Sequence, residues 1–220
     1  VQGHALVSER YAQAACQVNE TSSPKGEAVA RERFAKSWWS PARWTAKAPR
    51  FGLPEAGSVQ MLWSNMALHM AADPQALVAQ WQRALAVDGY LMFSCLGPDT
   101  LRELRAVLPD RRGERVHRFI DMHDIGDALV QAGFNDPVMD MEIVTLTYPD
   151  LDTLLQDLRR SGGANAATSR PRGLSGRQEW AAARAAYERL RRDGRLPTTF
   201  EIIQGHAWKA APKTTEDGRS

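Results

Sequence analysis

Residues 59–70, VQMLWSNMALHM, run an apolar, strand-favouring stretch into the small polar pair Ser64-Asn65 and then resume an apolar pattern. A strand that stops at a polar pair and passes straight into a helix is a ligand position in open α/β sheets, because ligands sit outside the carboxyl ends of the strands. The second chemically loaded stretch is rich in arginine. From Arg159 to Arg195 ten arginines stand against three acids (Glu179, Glu188, Asp193), whereas residues 138–157 carry five acids and no base. Guanidinium groups bind carboxylates and phosphates in bidentate fashion, so a basic face of this size suits an acidic partner. A solvated helix face with internally paired arginines is the equal alternative.

Other reactive side chains read as structural. Asp121, His123 and Asp124 in DMHD lie on one helix turn without sharing a face well, so Asp121 is an N-cap rather than a metal ligand. His69 and His206 stand in apolar surroundings and read as core or rim histidines. Cys95 falls inside a buried strand, which argues against a nucleophilic role. Gly162-Gly163-Ala164-Asn165 has the look of a tight loop but lacks the lysine and hydroxyl residue of a phosphate-binding loop. No catalytic general base and no metal ligand set is assigned.

The elements that would position these groups become regular from residue 50. Val59–Ser64 reads as a short buried strand. Residues 74–86, with Pro at the start and Asp73 as N-cap, form an amphipathic helix stopped by Asp88-Gly89. Tyr90–Leu96 is a second buried strand, and Asp99–Leu108 a short helix. A helix over Asp121–Ala132 closes at Gly133-Phe134. Val138–Tyr148 is a long strand, Leu151–Arg160 and Gln178–Arg192 are helices, and Thr199–Lys209 is a last strand. This order fits the second half of a doubly wound α/β sheet with an antiparallel pair at one edge.

Residues 1–49 read as an irregular or helical arm. It contains a helical pattern over 26–39 and a Trp38, Trp39, Trp44 cluster among bases, which suits core packing or a basic-aromatic contact. The 220-residue chain suits one domain, and its 43% apolar content is ample for a core. No apolar run approaches a membrane span, and the start of the chain has no signal-peptide core. Cys16 and Cys95 make no disulfide framework, so a reducing cytoplasm is the expected compartment. Nucleic acid is the partner class these residues support least: Trp180 and Tyr187 lie in the arginine-rich stretch, but the sequence pI of 8.7 is modest and no binding motif appears.

The segments LPEAGSVQMLWSNMALHM and DPQALVAQWQRALAVDGYLMFSCLGPDTLREL together resemble the middle of a class I S-adenosylmethionine-dependent methyltransferase. FIDMHDIGDALVQAGFNDPVMDMEIVTLTY, GGANA and GRLPTTFEIIQGHAWK are more specific. They are similar to the biotin-synthesis methyltransferases that esterify the free carboxyl of malonyl-[acyl carrier protein]. The resemblance covers residues 50–212, with 213–220 a frayed tail. It implies a Rossmann-like sheet whose last strand is inserted antiparallel, with a helical cap at about 150–197 over the substrate. By position, Phe51, Gly52 and Leu53 would border the adenine. Trp63, Ser64, Asn65 and Met66 would lie beside the sulfonium and the acceptor. Arg159, Arg160, Arg170 and Arg172 become candidate carboxylate holders and a docking face for an acidic acyl carrier protein.

The chain departs from this family at two elements. The family places a Gly-x-Gly-x-Gly turn and a ribose-binding acid before these strands, because glycine lets the backbone approach the cofactor closely. No G-x-G occurs in the sequence, and within the fourth-strand motif itself Gln60 stands where the family usually has an acid. A non-catalytic descendant that keeps the fold for protein binding is the alternative these residues leave open. A half-sheet would also expose an edge strand and apolar faces, so a homodimer is expected.

Overall fold

The computed structural model describes residues 54–108, 113–161, 165, 169–171, 173 and 176–211. The arm at 1–49 with its tryptophan cluster, Phe51, Gly52, Leu53 and Arg172 lie outside the described residues.

Among the described residues four strands form one mixed sheet in the order β1-β2-β4-β3: β1 (Val59–Asn65), β2 (Leu85–Leu96), β3 (Phe134–Tyr148) and β4 (Leu196–Lys209). β1 and β2 are parallel, while β4 lies antiparallel to both β2 and β3. The last strand is therefore inserted between its predecessors, as expected. Five helices accompany the sheet among the described residues: α1 (Pro74–Ala84), α2 (Arg102–Val107), α3 (Met122–Gln131), α4 (Leu151–Arg160) and α5 (Arg177–Glu188).

Helix starts follow local chemistry. The Asp73 carboxylate accepts the Ala76 N–H at 2.9 Å with Pro74 in the first turn, and Asp150 accepts the Thr153 N–H at 2.7 Å. Asp121 caps α3 by accepting the His123 N–H at 2.8 Å, which is the structural role expected for it.

Helix ends follow tertiary contacts instead. The structure ends α1 at Ala84, before the Asp88-Gly89 stop, because Leu85 is fully buried and pairs with Val59 at the start of the sheet. The parallel register then slips before Tyr90, with Asp88 in the left-handed region at φ 62°. α5 ends at Glu188 rather than Arg192. The chain instead makes a tight reversal through Asp193 (φ 49°) and Gly194 (φ 75°), closed by reciprocal Arg192–Arg195 backbone bonds of 2.8 Å. The Arg191 guanidinium ties this turn to Pro149 O and Gly194 O.

Two apolar cores result. The first lies between one sheet face and α1 and α3, joining Leu91, Phe93, Ile203 and Ala207 to Trp81 and Leu129. The second joins α2, α4, α5 and the start of β4 through Leu104, Leu154, Tyr187 and Leu196. β3 ends and β4 begins beyond the carboxyl end of β2, so this second core is a cap at the end of the sheet where ligands bind in such folds.

The opposite sheet face carries Met61, Trp63, Tyr90, Met92, His206 and Trp208, with Tyr90 and Trp208 rings 4.4 Å apart. Met61 and Trp208 are 56% and 47% exposed, and among the described residues no strand pairs with the outer edge of β1.

Cys95 sits in the first core, where burial, with Glu201 adding to it, pushes its thiol up to about 12. In a Cys16→Ser variant, Cys95 is expected to resist a disulfide reagent at pH 8 and to react only when urea unfolds the chain. Rapid labelling of the folded protein would contradict this burial.

Candidate functional site

The carboxyl ends of β1 and β2 are sewn together by side chains. Ser94 Oγ donates to Asn65 Oδ1 at 2.8 Å, and the Met66 N–H donates to Ser94 O at 2.9 Å and Ser94 Oγ at 3.1 Å. The chain turns sharply there, with Met66 at φ 54°. One short turn later His69, in a 3-10 segment (Leu68–Met70), accepts the Leu96 N–H on Nδ1 at 3.2 Å. Its ring meets Phe119 edge-on at 5.5 Å, and Phe119 in turn meets His117 at 5.0 Å.

Burial, helped by the nearby His117, lowers the His69 pKa to about 4, so the ring is neutral at physiological pH. Unfolded histidine takes its proton near pH 6.5 and the folded ring only near 4, so unfolding takes up a proton between these values. The stability carried by the neutral ring is complete above pH 6.5. It falls as pH drops toward 4, by no more than about 1.4 kcal/mol per pH unit. Urea midpoints of a His69→Gln variant should lose that part of the slope; an unchanged slope would contradict the assignment.

The loop after β2 is the second part of the site, and here the sequence reading missed the residues that matter. Gly97 N–H donates to Glu201 O at 3.0 Å, Asp99 N–H to Glu201 Oε2 at 2.6 Å, and Leu101 N–H to Thr199 O at 2.7 Å. Thr100 Oγ1 and the Glu201 backbone exchange two further bonds. The Glu103 carboxylate accepts both the N–H and the hydroxyl of Thr199. Arg105 donates to Pro98 O and Thr100 O at 3.0 Å each, and to His117 O at 3.4 Å. A Cβ at Gly97 would stand 2.5–2.8 Å from the Glu201 carboxylate atoms, so only glycine fits without moving that side chain. A Gly97→Ala variant should lose about 1–3 kcal/mol in urea unfolding, and a loss near zero would contradict the close packing. The only sequence signal for this cluster was the GPDT turn after a strand; its partners come from the far end of the chain.

The predicted site residues divide accordingly. Asn65 and Met66 form the strand-end turn, Ser64 is buried against the core face, and Trp63 is 45% exposed on the open face. Several arginines in and beside the cap are engaged within the fold. Arg184 makes a bidentate pair with Asp152 at 2.8 and 2.5 Å, Arg115 pairs with Glu179 at 2.7 Å, and Arg195 binds Thr147. Arg159 and Arg160 occupy the exposed last turn of α4, and Arg170 is exposed. A groove of about 270 Å³ lies between α1 and α3, lined in part by Leu68, Val78, Ile120 and Asp127; Asn65, Met66 and His69 do not line it. Among the described residues no helix is long and apolar enough to cross a membrane.

No family model matches the chain. Its fold superposes on the [4+2]-cyclase SpnF with a TM-score of 0.51 at 18% identity, covering 94% of this chain and 73% of that one. The four-stranded sheet with its helices is thus a Rossmann-like α/β architecture.

Within that class the sequence is similar to the malonyl-[acyl-carrier protein] O-methyltransferase of Laribacter hongkongensis, at 51% identity over 168 residues. It is 52% identical over 165 residues to the same enzyme of Gallionella capsiferriformans. In both cases the match takes in 74% of this chain and 57% of the relative, so the chain spans little more than half the length of the relatives it matches. The resemblance read from the sequence holds over about three quarters of the chain.

Proposed function

We propose that this chain carries the carboxyl-terminal part of a malonyl-[acyl-carrier protein] O-methyltransferase, with the strand-end turn at Asn65–His69 as its reaction floor. The observation that supports this most is the 51% identity to a relative of that name. Methyl transfer to an ionised carboxylate needs little acid–base chemistry, because the nucleophile is already charged and the leaving thioether is neutral. The protein's task is alignment of the reacting groups with water excluded.

S-adenosylmethionine, when bound, would supply an electrophilic methyl group on sulfur. The described residues suit only part of it. Asn65 and Met66 are the proposed neighbours of the sulfonium and the acceptor, while the turn that would hold the amino-acid end and the acid that would take the ribose have no counterpart among the described residues. Phe51, Gly52 and Leu53 remain the proposed adenine border. The cap is the proposed acceptor side: Arg159 and Arg160 at the exposed end of α4 and exposed Arg170, with Arg172 beside it in the sequence, are the candidate basic face for an acidic carrier protein. The edge of β1, which no strand covers among the described residues, and the sheet face beside it with Met61 and Trp208 exposed favour self-association as a homo-oligomer.

Calorimetry with S-adenosylmethionine and S-adenosylhomocysteine tests the cofactor reading. It is followed by transfer of a labelled methyl group to malonyl-[acyl carrier protein] as a base-labile ester. Micromolar binding with ester-bound label is the expected result; no heat at millimolar ligand would overturn the reading for this chain.

A further inference from the structure

We propose that Asn65 and His69 form a pair of neutral N–H donors that holds the acceptor's carboxylate at the carboxyl ends of β1 and β2. This rests on the methyl-transfer reading and names the groups within it that bind the acceptor.

Three observations support the pair. The His69 Nδ1 accepts the Leu96 N–H, which leaves the ring proton on Nε2. No partner to Nε2 is present among the described residues, and the side chain is only partly buried. Asn65 likewise spends its oxygen on Ser94 Oγ, so its NH₂ group is the end left to donate, and the residue is exposed. The residues they hold, Ser94 and Leu96, are two apart on β2, about 7 Å along the strand. Both side chains are thus anchored on the last residues of β2, beside the turn at Met66.

Neutral donors suit the chemistry better than the cap arginines. The acceptor is an anion before transfer and a neutral ester after it, so its negative charge fades in the transition state. A guanidinium pair would stabilise the starting anion most strongly and lose that stabilisation as the reaction proceeds. Uncharged N–H donors orient the oxygens with a smaller loss. The ring is held neutral by its surroundings, as the low His69 pKa requires. This assignment moves acceptor binding from Arg159 and Arg160 to the strand-end turn and leaves the arginines to the carrier protein.

The test uses malonyl-pantetheine, which presents the free carboxylate on a thioester, and its methyl ester as control. Binding to the full chain is followed by the His69 imidazole signals in long-range proton–nitrogen spectra. The free acid is expected to shift those signals and the ester to leave them unchanged. Asn65→Asp and His69→Phe should each weaken binding about tenfold or more, whereas His69→Gln, which keeps an N–H donor, should stay within about threefold.

Equal binding of acid and ester, unchanged affinity in both disruptive variants, or no response to the acid at millimolar concentration would each overturn the assignment. Calorimetry with S-adenosylhomocysteine on the same samples separates the two readings. Retained cofactor heat with unaffected variants sinks the donor pair alone. A carboxylate response without cofactor heat sinks the methyl-transfer reading and leaves the pair standing as a carboxylate site.

Discussion

Replacing Gly205 by valine is expected to destabilise the fold by about 3 kcal/mol, a large share of the stability of a domain this size. Gly205 lies on β4 between the two strands it separates, opposite Phe93 of β2 and Met139 of β3. A Cβ there would stand 2.5 Å from Phe93 Cζ and 2.6 Å from both Phe93 Cε1 and Met139 Sδ. Met139 is a flexible side chain and can swing aside. Phe93 cannot, because its ring packs against Trp81 at 6.0 Å in the first core. The clash therefore passes into the contact between the sheet and α1. Alanine should lose less than valine, and the midpoint of urea unfolding should fall without a change in slope. A valine variant that unfolds at the wild-type midpoint would show that the core is looser than described.

The cap is expected to respond as strongly to loss of Tyr187. Its side chain is fully buried among Leu104, Leu154 and Leu196, and its hydroxyl donates to Pro197 O at 3.1 Å and lies 2.9 Å from Thr198 Oγ1. Tyr187→Ala should cost about 4 kcal/mol, from lost burial and the cavity left behind. Tyr187→Phe keeps the ring and removes only the hydrogen bonds, so it should cost about 1 kcal/mol. The gap between the two measures how far packing outweighs polarity in the cap. A second unfolding transition in the alanine variant, with near-ultraviolet signals of the sheet retained, would show the cap loosening by itself. Equal losses in the two variants would contradict the packing account.

The same residue carries a pH signature. Burial pushes the Tyr187 phenol up to about 12, and Tyr148, beside Asp157, is raised likewise. An unfolded tyrosine ionises near pH 10, so the stability these groups carry is complete below that value and declines as pH rises from 10 toward 12. Tyr187→Phe should flatten part of that decline.

Elements set by near neighbours are legible in the sequence. Asp73 before Pro74, Asp121 before α3 and Gly133 after it each act within one helix turn, and each does so as its spacing implied. The strand that ends at Ser64-Asn65 was legible for the same reason: an apolar run stopped by a polar pair needs no distant partner to be recognised. Matched segments on either side of the cap also carried the methyltransferase resemblance, including the antiparallel last strand.

What remained hidden depends on residues far apart in sequence. Thr199 and Glu201 hold the Gly97–Leu101 loop across about a hundred positions, and neither carries a local signal for that duty. Arg184, Arg191 and Arg195 look like any other members of a basic run until the fold brings Asp152, Pro149 and Thr147 beside them. His69 reads as a core histidine, and only the Leu96 N–H shows which nitrogen is left to donate. Even the end of α1 was decided at a distance, by Leu85 entering the sheet beside Val59. Caps, turns and alternation arise from contacts three or four residues apart and are written into the sequence itself. Partners across a sheet are chosen by strand order and register, and these exist only once the chain has folded.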